Sequence, residues 1–165
     1  MAKAVLISIQ PKWCELIASG KKTVEVRKTK PKIDVPFKCY IYETQGRTET
    51  PFVDEEGHHI FKGRGQVIGE FVCDRIQEIT YTQIYNFGRY RDVCEAETKL
   101  DFYALDDYLK QKNGYGWHIT DLVIYDEPKE LSEFTGLRKT KFGYGSFKIT
   151  RPPQSWYYVE ERSNR

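Results

Sequence analysis

The segment Ser8-Ile9-Gln10-Pro11-Lys12-Trp13-Cys14-Glu15-Leu16-Ile17-Ala18-Ser19-Gly20-Lys21-Lys22-Thr23-Val24-Glu25-Val26-Arg27 reads as the end of a strand, one short helix and the start of a second strand. Pro11 suits the first helical turn, where a missing N–H is no loss. Trp13, Leu16, Ile17 and Gly20 recur at i, i+3, i+4 and i+7, one face of a helix over residues 11–19. Gly20 is placed to end that helix in the left-handed conformation.

Beyond the glycine, strand side chains alternate faces, so Val24 and Val26 share one face and Thr23, Glu25 and Arg27 the other. The valines suit a core. Lys22, Glu25 and Arg27 bring both signs of charge to the beginning of the strand. One reading of that face is a solvated surface with cross-strand ion pairs. The other is a pocket wall that recognises or transforms a polar ligand.

Gly20-Lys21-Lys22-Thr23-Val24-Glu25-Val26-Arg27 resembles the Gly-x-Lys-x-x-Glu-x-Arg signature of the ASCH domains, within the PUA-like superfamily. Ser8-Ile9-Gln10-Pro11-Lys12 is similar to the family's first strand and its exit. Gly116-Trp117-His118-Ile119-Thr120-Asp121 is similar to the strand that closes its barrel. Pro152-Pro153-Gln154-Ser155-Trp156 resembles a tail of a longer, phage- and prophage-associated branch.

At 165 residues the chain is expected to form one domain, residues 1–165, with a polar insertion at about 45–65 and a tail at about 152–165. Aromatic residues make up 15%, enough to supply buried area through large, stiff side chains. Tyr and Phe also serve strands, and they suit base stacking. A net charge of +2 is too balanced for a strongly electrostatic nucleic-acid binder. The charge is unevenly spread, however. Lys21, Lys22, Arg27, Lys28, Lys30, Lys32 and Lys38 face only Glu25 and Asp34 in that stretch. This is a phosphate-binding face or a lysine-rich edge that discourages strand pairing.

Cys14, Cys39, Cys73 and Cys94 are far apart, and no pair has zinc-ligand spacing. His58 and His59 have no cysteine pair to match them, so neither a metal nor another cofactor is expected. No signal peptide and no membrane-spanning run is read. Free thiols point to a reducing cytoplasm.

Further strands are read at 4–9, 37–44, 66–79, 115–125 and 146–151, with a possible short one at 59–62. Residues 80–87 read as a helical turn and 98–112 as a helix that Asn113-Gly114 ends. Residues 135–145 read as a Gly- and Lys-rich loop, and 156–159 as packing back on the body. Glu70, alone among apolar neighbours, is expected to pair with a cation, Lys22 and Arg27 among those in question. Strands outnumber helices, so the class is α+β: a closed or nearly closed mixed β-barrel with peripheral short helices. The resemblance implies the same PUA-like barrel.

The resemblance also implies a cleft beside the first helix that binds RNA, a nucleotide or a modified nucleoside. Lys12, Trp13, Lys22, Arg27 and Trp117 are the residues expected to bind there, by stacking and by charge-assisted contacts. Some relatives are metal-independent hydrolases, acting on RNA or on acetylcytidine. In that case Lys22 and Glu25 are the catalytic candidates. The acetylcytidine amidohydrolases pair the motif lysine with a threonine three residues on and an acid on the following helix. This chain has Glu25 in place of that threonine, and Glu95 or Glu97 as the acid.

Overall fold

The computed structural model describes residues 2–49 and 60–163; His58, His59 and the middle of the polar insertion lie outside them. The chain runs β1 (Lys3–Ile9), α1 (Pro11–Ala18), β2 (Val24–Arg27), β3 (Phe37–Glu43), β4 (Arg47–Glu49), β5 (Ile60–Lys62), β6 (Gln66–Ile84) and β7 (Phe87–Arg91). Then follow α2 (Glu95–Thr98), α3 (Phe102–Leu109), β8 (Gly114–Lys129), a 3-10 turn at Leu131–Glu133, β9 (Thr135–Thr140), β10 (Gly143–Lys148) and β11 (Trp156–Glu160).

Among the described residues nine strands form one mixed sheet in the order β10-β9-β11-β1-β3-β6-β8-β2, with β7 paired to the far end of β6. Strands β1 and β3 are parallel, which the intervening α1–β2 crossover permits. A separate two-stranded ladder joins β4 and β5. The long strands β6 and β8 shift register three times along their pairing, and such bulges bend a sheet. At the first shift a Cβ on Gly69 would stand 2.4 Å from the Val123 carbonyl oxygen, so the close approach requires glycine.

The barrel expected from the sequence is not closed: the ladder ends at β2 on one side and β10 on the other. The local reason is visible on β2. The Val26 amide donates to its neighbour's carboxylate, Glu25 Oε1, at 3.1 Å rather than to a closing strand. The α+β, sheet-dominated class stands.

Strand β1 is buried along nearly its whole length and divides two cores. Val5, Ile7 and Ile9 face one, with Ile41, Phe71 and Trp117; Ala4 and Leu6 face the other, with Tyr40, Phe134 and Val159. A third cluster packs α3 onto the sheet through Val26, Ile79, Tyr90, Leu105 and Leu109.

Helix α1 begins at Pro11, and Gly20 follows it at φ +78°. Three other expectations are corrected. Residues 80–87 are not a helical turn: β6 continues to Ile84 and pairs with β7, Tyr81 opposite Tyr90. Residues 135–145 are not a loop, because β9 and β10 pair there from Thr135 opposite Lys148 to Thr140 opposite Gly143. The helix read at 98–112 is shorter: α3 covers only Phe102–Leu109, preceded by a separate turn of helix, α2, and it starts at Asp101, whose side chain caps it by accepting from the Ala104 amide at 2.8 Å.

Candidate functional site

The charged residues of the motif are buried. Lys22, Glu25 and Arg27 are 1%, 6% and 9% exposed. Lys22 leaves α1 with its amide bonded to the Leu16 carbonyl at 2.9 Å. Its ammonium donates to the Thr98 carbonyl at 2.5 Å and stands 4.9 Å from the centre of the Trp13 ring. Burial holds the Lys22 pKa below its usual value; Glu25 opposes that shift and Arg27 adds to it.

Arg27 spends its guanidinium on backbone and tail. Nη2 donates to the Ser8 carbonyl at 2.6 Å, and Nη1 reaches the Ser155 hydroxyl at 3.2 Å. Its Nε lies 3.9 Å from Glu25 Oε1. Glu25 Oε2 and the Trp117 indole nitrogen are both buried without a hydrogen-bond partner among the described residues, on residues directly opposite each other in β2 and β8. Trp117 itself is fully buried, edge-on to Phe37 and Trp156. Trp13 is half-buried and bridges two core clusters, with the Lys12 ammonium 4.5 Å from its ring centre.

Thus the structure gathers Lys22, Glu25, Arg27, Trp13 and Trp117 around β2, with Lys12 at the margin. Glu70 joins none of them; it pairs with Lys38 at 3.6 Å.

A cavity of about 320 Å³ opens against the other face of the same two strands. Its walls are Val24 on β2, Arg75, Gln77 and Ile79 on β6, Gly116 and His118 on β8, and the segment from Asp92 through Cys94 to Glu97 and Thr98. Alternation explains the choice: Gly116 and His118 face away from Trp117, as Val24 faces away from Glu25. The Thr23 amide bonds the Glu97 carbonyl at 2.9 Å, which ties α2 to the beginning of β2 and makes it a wall. Glu97 lines the cavity and pairs with Arg75 at 3.8 Å; Glu95 is exposed and does not line it. His118 Nδ1 and Asp74 Oδ1 are 2.5 Å apart, and that bond holds the Asp74 carboxyl below its ordinary pKa. Thr98 is buried, and its hydroxyl accepts from the Leu100 amide at 3.1 Å.

Sequence reasoning passed over Thr98, Gln77, His118 and Ser155. His118 was next to a chosen residue, on the opposite parity of the strand. Thr98 is distant in sequence and carries no local signal, and Ser155 lies in the Pro-Pro-Gln-Ser-Trp stretch, where it was read as part of a tail rather than of a site. Among the described residues no cluster of His, Cys, Asp and Glu can hold a metal ion, and no helix is long and apolar enough to cross a membrane.

This open, bent sheet with a buried Lys-x-x-Glu-x-Arg strand matches the family model for the ASCH domain over residues 7–122. The chain belongs to the ASCH domain family. The fold is shared with the ASCH protein of Zymomonas mobilis, at 20% identity and a TM-score of 0.55, covering 96% of this chain and 88% of that one. A tyrosine-to-phenylalanine variant of the same protein gives a TM-score of 0.56 at 20% identity, covering 97% of this chain and 92% of the other. No curated protein matches the chain.

Proposed function

We propose that this protein binds RNA or a nucleotide and seats one base in the cavity between β2, β6, β8 and α2. The observation that supports the reading is the cavity's size and lining. At about 320 Å³ it lies at the small end of ligand sites, the scale of one nucleotide unit rather than an oligomer. Val24, Ile79 and Val93 offer apolar walls, while Gln77, His118 and Arg75 offer the donors and acceptors that read a base edge. Lys22, Arg27 and Trp117 hold the strands that form the walls. Lys12 and Trp13 present charge and an aromatic edge on the α1 side.

The test is a titration of labelled single-stranded RNA and of mononucleotides at fixed salt. Gln77→Ala and His118→Ala weaken binding more than Lys129→Ala does. One lost hydrogen bond of about 0.5–1.5 kcal/mol corresponds to roughly two- to tenfold. Equal affinities for all three variants would overturn the cavity as the site.

One observation supports a second reading, a metal-independent hydrolase acting on RNA or acetylcytidine. The threonine absent three residues after Lys22 has a counterpart in space, because the Lys22 amine is bonded to the backbone of Thr98 on the cavity wall. A buried amine with a lowered pKa is one way to activate a nucleophile, and Glu97 on the cavity wall supplies a carboxylate. Product release from acetylcytidine, lost in Thr98→Val, is the outcome that favours this reading.

A further inference from the structure

The β6–β7 hairpin extends past the cavity and carries an unusual surface. From Ile79 to Arg91 the chain has Arg89 and Arg91 and no acidic residue. Cross-strand pairing puts Thr80 opposite Arg91, Thr82 opposite Arg89 and Ile84 opposite Phe87, so one face of the ribbon carries two arginines and then an apolar pair at the tip. Arg89 and Arg91 are exposed and have no ion-pair partner among the described residues. Phe87 is 80% exposed, and Tyr85 at the turn is 92% exposed with φ at +56°. The opposite face is committed to the fold: the rings of Tyr81 and Tyr90, 5.0 Å apart and tilted by 56°, pack against α3.

Arginines on an edge strand also discourage edge-to-edge pairing. That accounts for Arg89 and Arg91 but not for a tip of exposed Ile84, Tyr85 and Phe87 beside them. Large aromatic rings left in water next to unpaired guanidinium groups match a ligand with flat apolar faces and a negative backbone. The geometry points to this hairpin face as a docking surface for single-stranded RNA, with phosphates on Arg89 and Arg91 and bases stacked on Phe87 and Tyr85. The inference rests on the RNA-binding reading but names a surface separate from the cavity; Arg91 adjoins Asp92, which lines the cavity rim.

The experiment compares full-length wild type, Arg89→Ala/Arg91→Ala, Phe87→Ala and the cavity variant His118→Ala, each titrated with a labelled ten-nucleotide single-stranded RNA and with a mononucleotide. The hairpin variants lose about tenfold or more for the oligonucleotide and bind the mononucleotide like wild type. The slope of log affinity against log salt becomes shallower by roughly one to two in the double variant, as expected for two lost phosphate contacts on a single strand. Oligonucleotide affinity unchanged in both hairpin variants overturns the inference, and a loss confined to His118→Ala then leaves the cavity reading standing. Loss in the hairpin variants alone, with His118→Ala like wild type, supports the hairpin and overturns the cavity. A tip that instead makes the wild type dimerise by light scattering, reversed by Phe87→Ala without effect on RNA, overturns the inference in favour of a second copy as its occupant.

Discussion

The guanidinium of Arg27 bonds the Ser8 carbonyl at 2.6 Å, joining the last strand of the ladder to the first strand of the chain where no backbone pairing does so. The same side chain reaches Ser155, whose carbonyl accepts from the Ser8 amide at 2.9 Å. One buried cation therefore fastens the N-terminal strand, the motif strand and the C-terminal segment. The motif arginine is first a structural clasp, and whatever it contributes to a ligand passes through the wall it holds.

Arg27→Ala is expected to lower stability more than an exposed substitution does. A hydrogen bond to a charged group contributes about 1.5–3 kcal/mol, and Glu25 is left buried beside the gap. Thermal unfolding shows a fall of several degrees, against about none for the exposed Lys141→Ala. Arg27→Lys recovers little, since one ammonium cannot reach Ser8 and Ser155 as a fork does. A melting temperature within a degree of wild type for Arg27→Ala would show that the clasp is unimportant.

Lys22 sets a pH dependence whose sign is fixed by burial. Its native pKa is lowered from 10.5, so between the lowered value and 10.5 the unfolded chain binds more protons than the native one. Stability from this group therefore rises with pH across that window and is lost as pH falls through the native pKa. Buried Cys14 and Cys39, whose pKa values burial raises, act in the opposite sense above pH 9. The clean measurement is the difference in melting temperature between wild type and Lys22→Met as pH approaches 10.5 from below, a difference in which the cysteine contributions cancel. The difference moves in favour of wild type as pH rises; parallel curves would contradict the assignment.

How much of this was legible in the sequence follows from where the signals are local. Pro11 and Gly20 bracket α1 because each needs one backbone conformation that the residue itself favours. The β6–β7 hairpin was missed because its turn is made by Tyr85 at φ +56°, a position where Gly, Asn or Asp usually announces the turn. The β9–β10 hairpin was read as a loop because Gly143 and Gly145 dilute the alternation that marks strands. The motif residues Glu25 and Arg27 and the nearby Trp117 were singled out from the sequence, whereas the cavity is lined by the other parity of the same strands. A one-residue difference in facing is invisible until pairing partners are known.

Cys94 gives a direct report on the cavity. It is exposed on the cavity wall, whereas Cys14, Cys39 and Cys73 are buried. A maleimide reagent is expected to modify one thiol in the native protein, Cys94 by peptide mass mapping, and all four only after unfolding. Bound nucleotide slows that reaction, and the modified protein loses affinity. Equal labelling rates with and without saturating nucleotide would remove the ligand from this cavity.

Glu25→Gln separates binding from turnover. Glu25 Oε1 accepts from the Val26 amide, while Oε2 is buried without a hydrogen-bond partner among the described residues. Glutamine keeps the shape and one acceptor but removes the charge that faces Arg27 and Lys22. If Glu25 orders the strand for a binding module, the variant melts lower or binds RNA more weakly, and neither protein releases product from acetylcytidine or cleaves single-stranded RNA. If Glu25 acts as a base, the wild type turns over and the variant loses that activity with its affinity unchanged, because proton transfer contributes to the reaction and not to binding. The buried position and the bond to Val26 favour the first outcome. Wild-type turnover abolished by Glu25→Gln, at unaltered affinity and melting temperature, would reverse the ranking and make the charged strand catalytic.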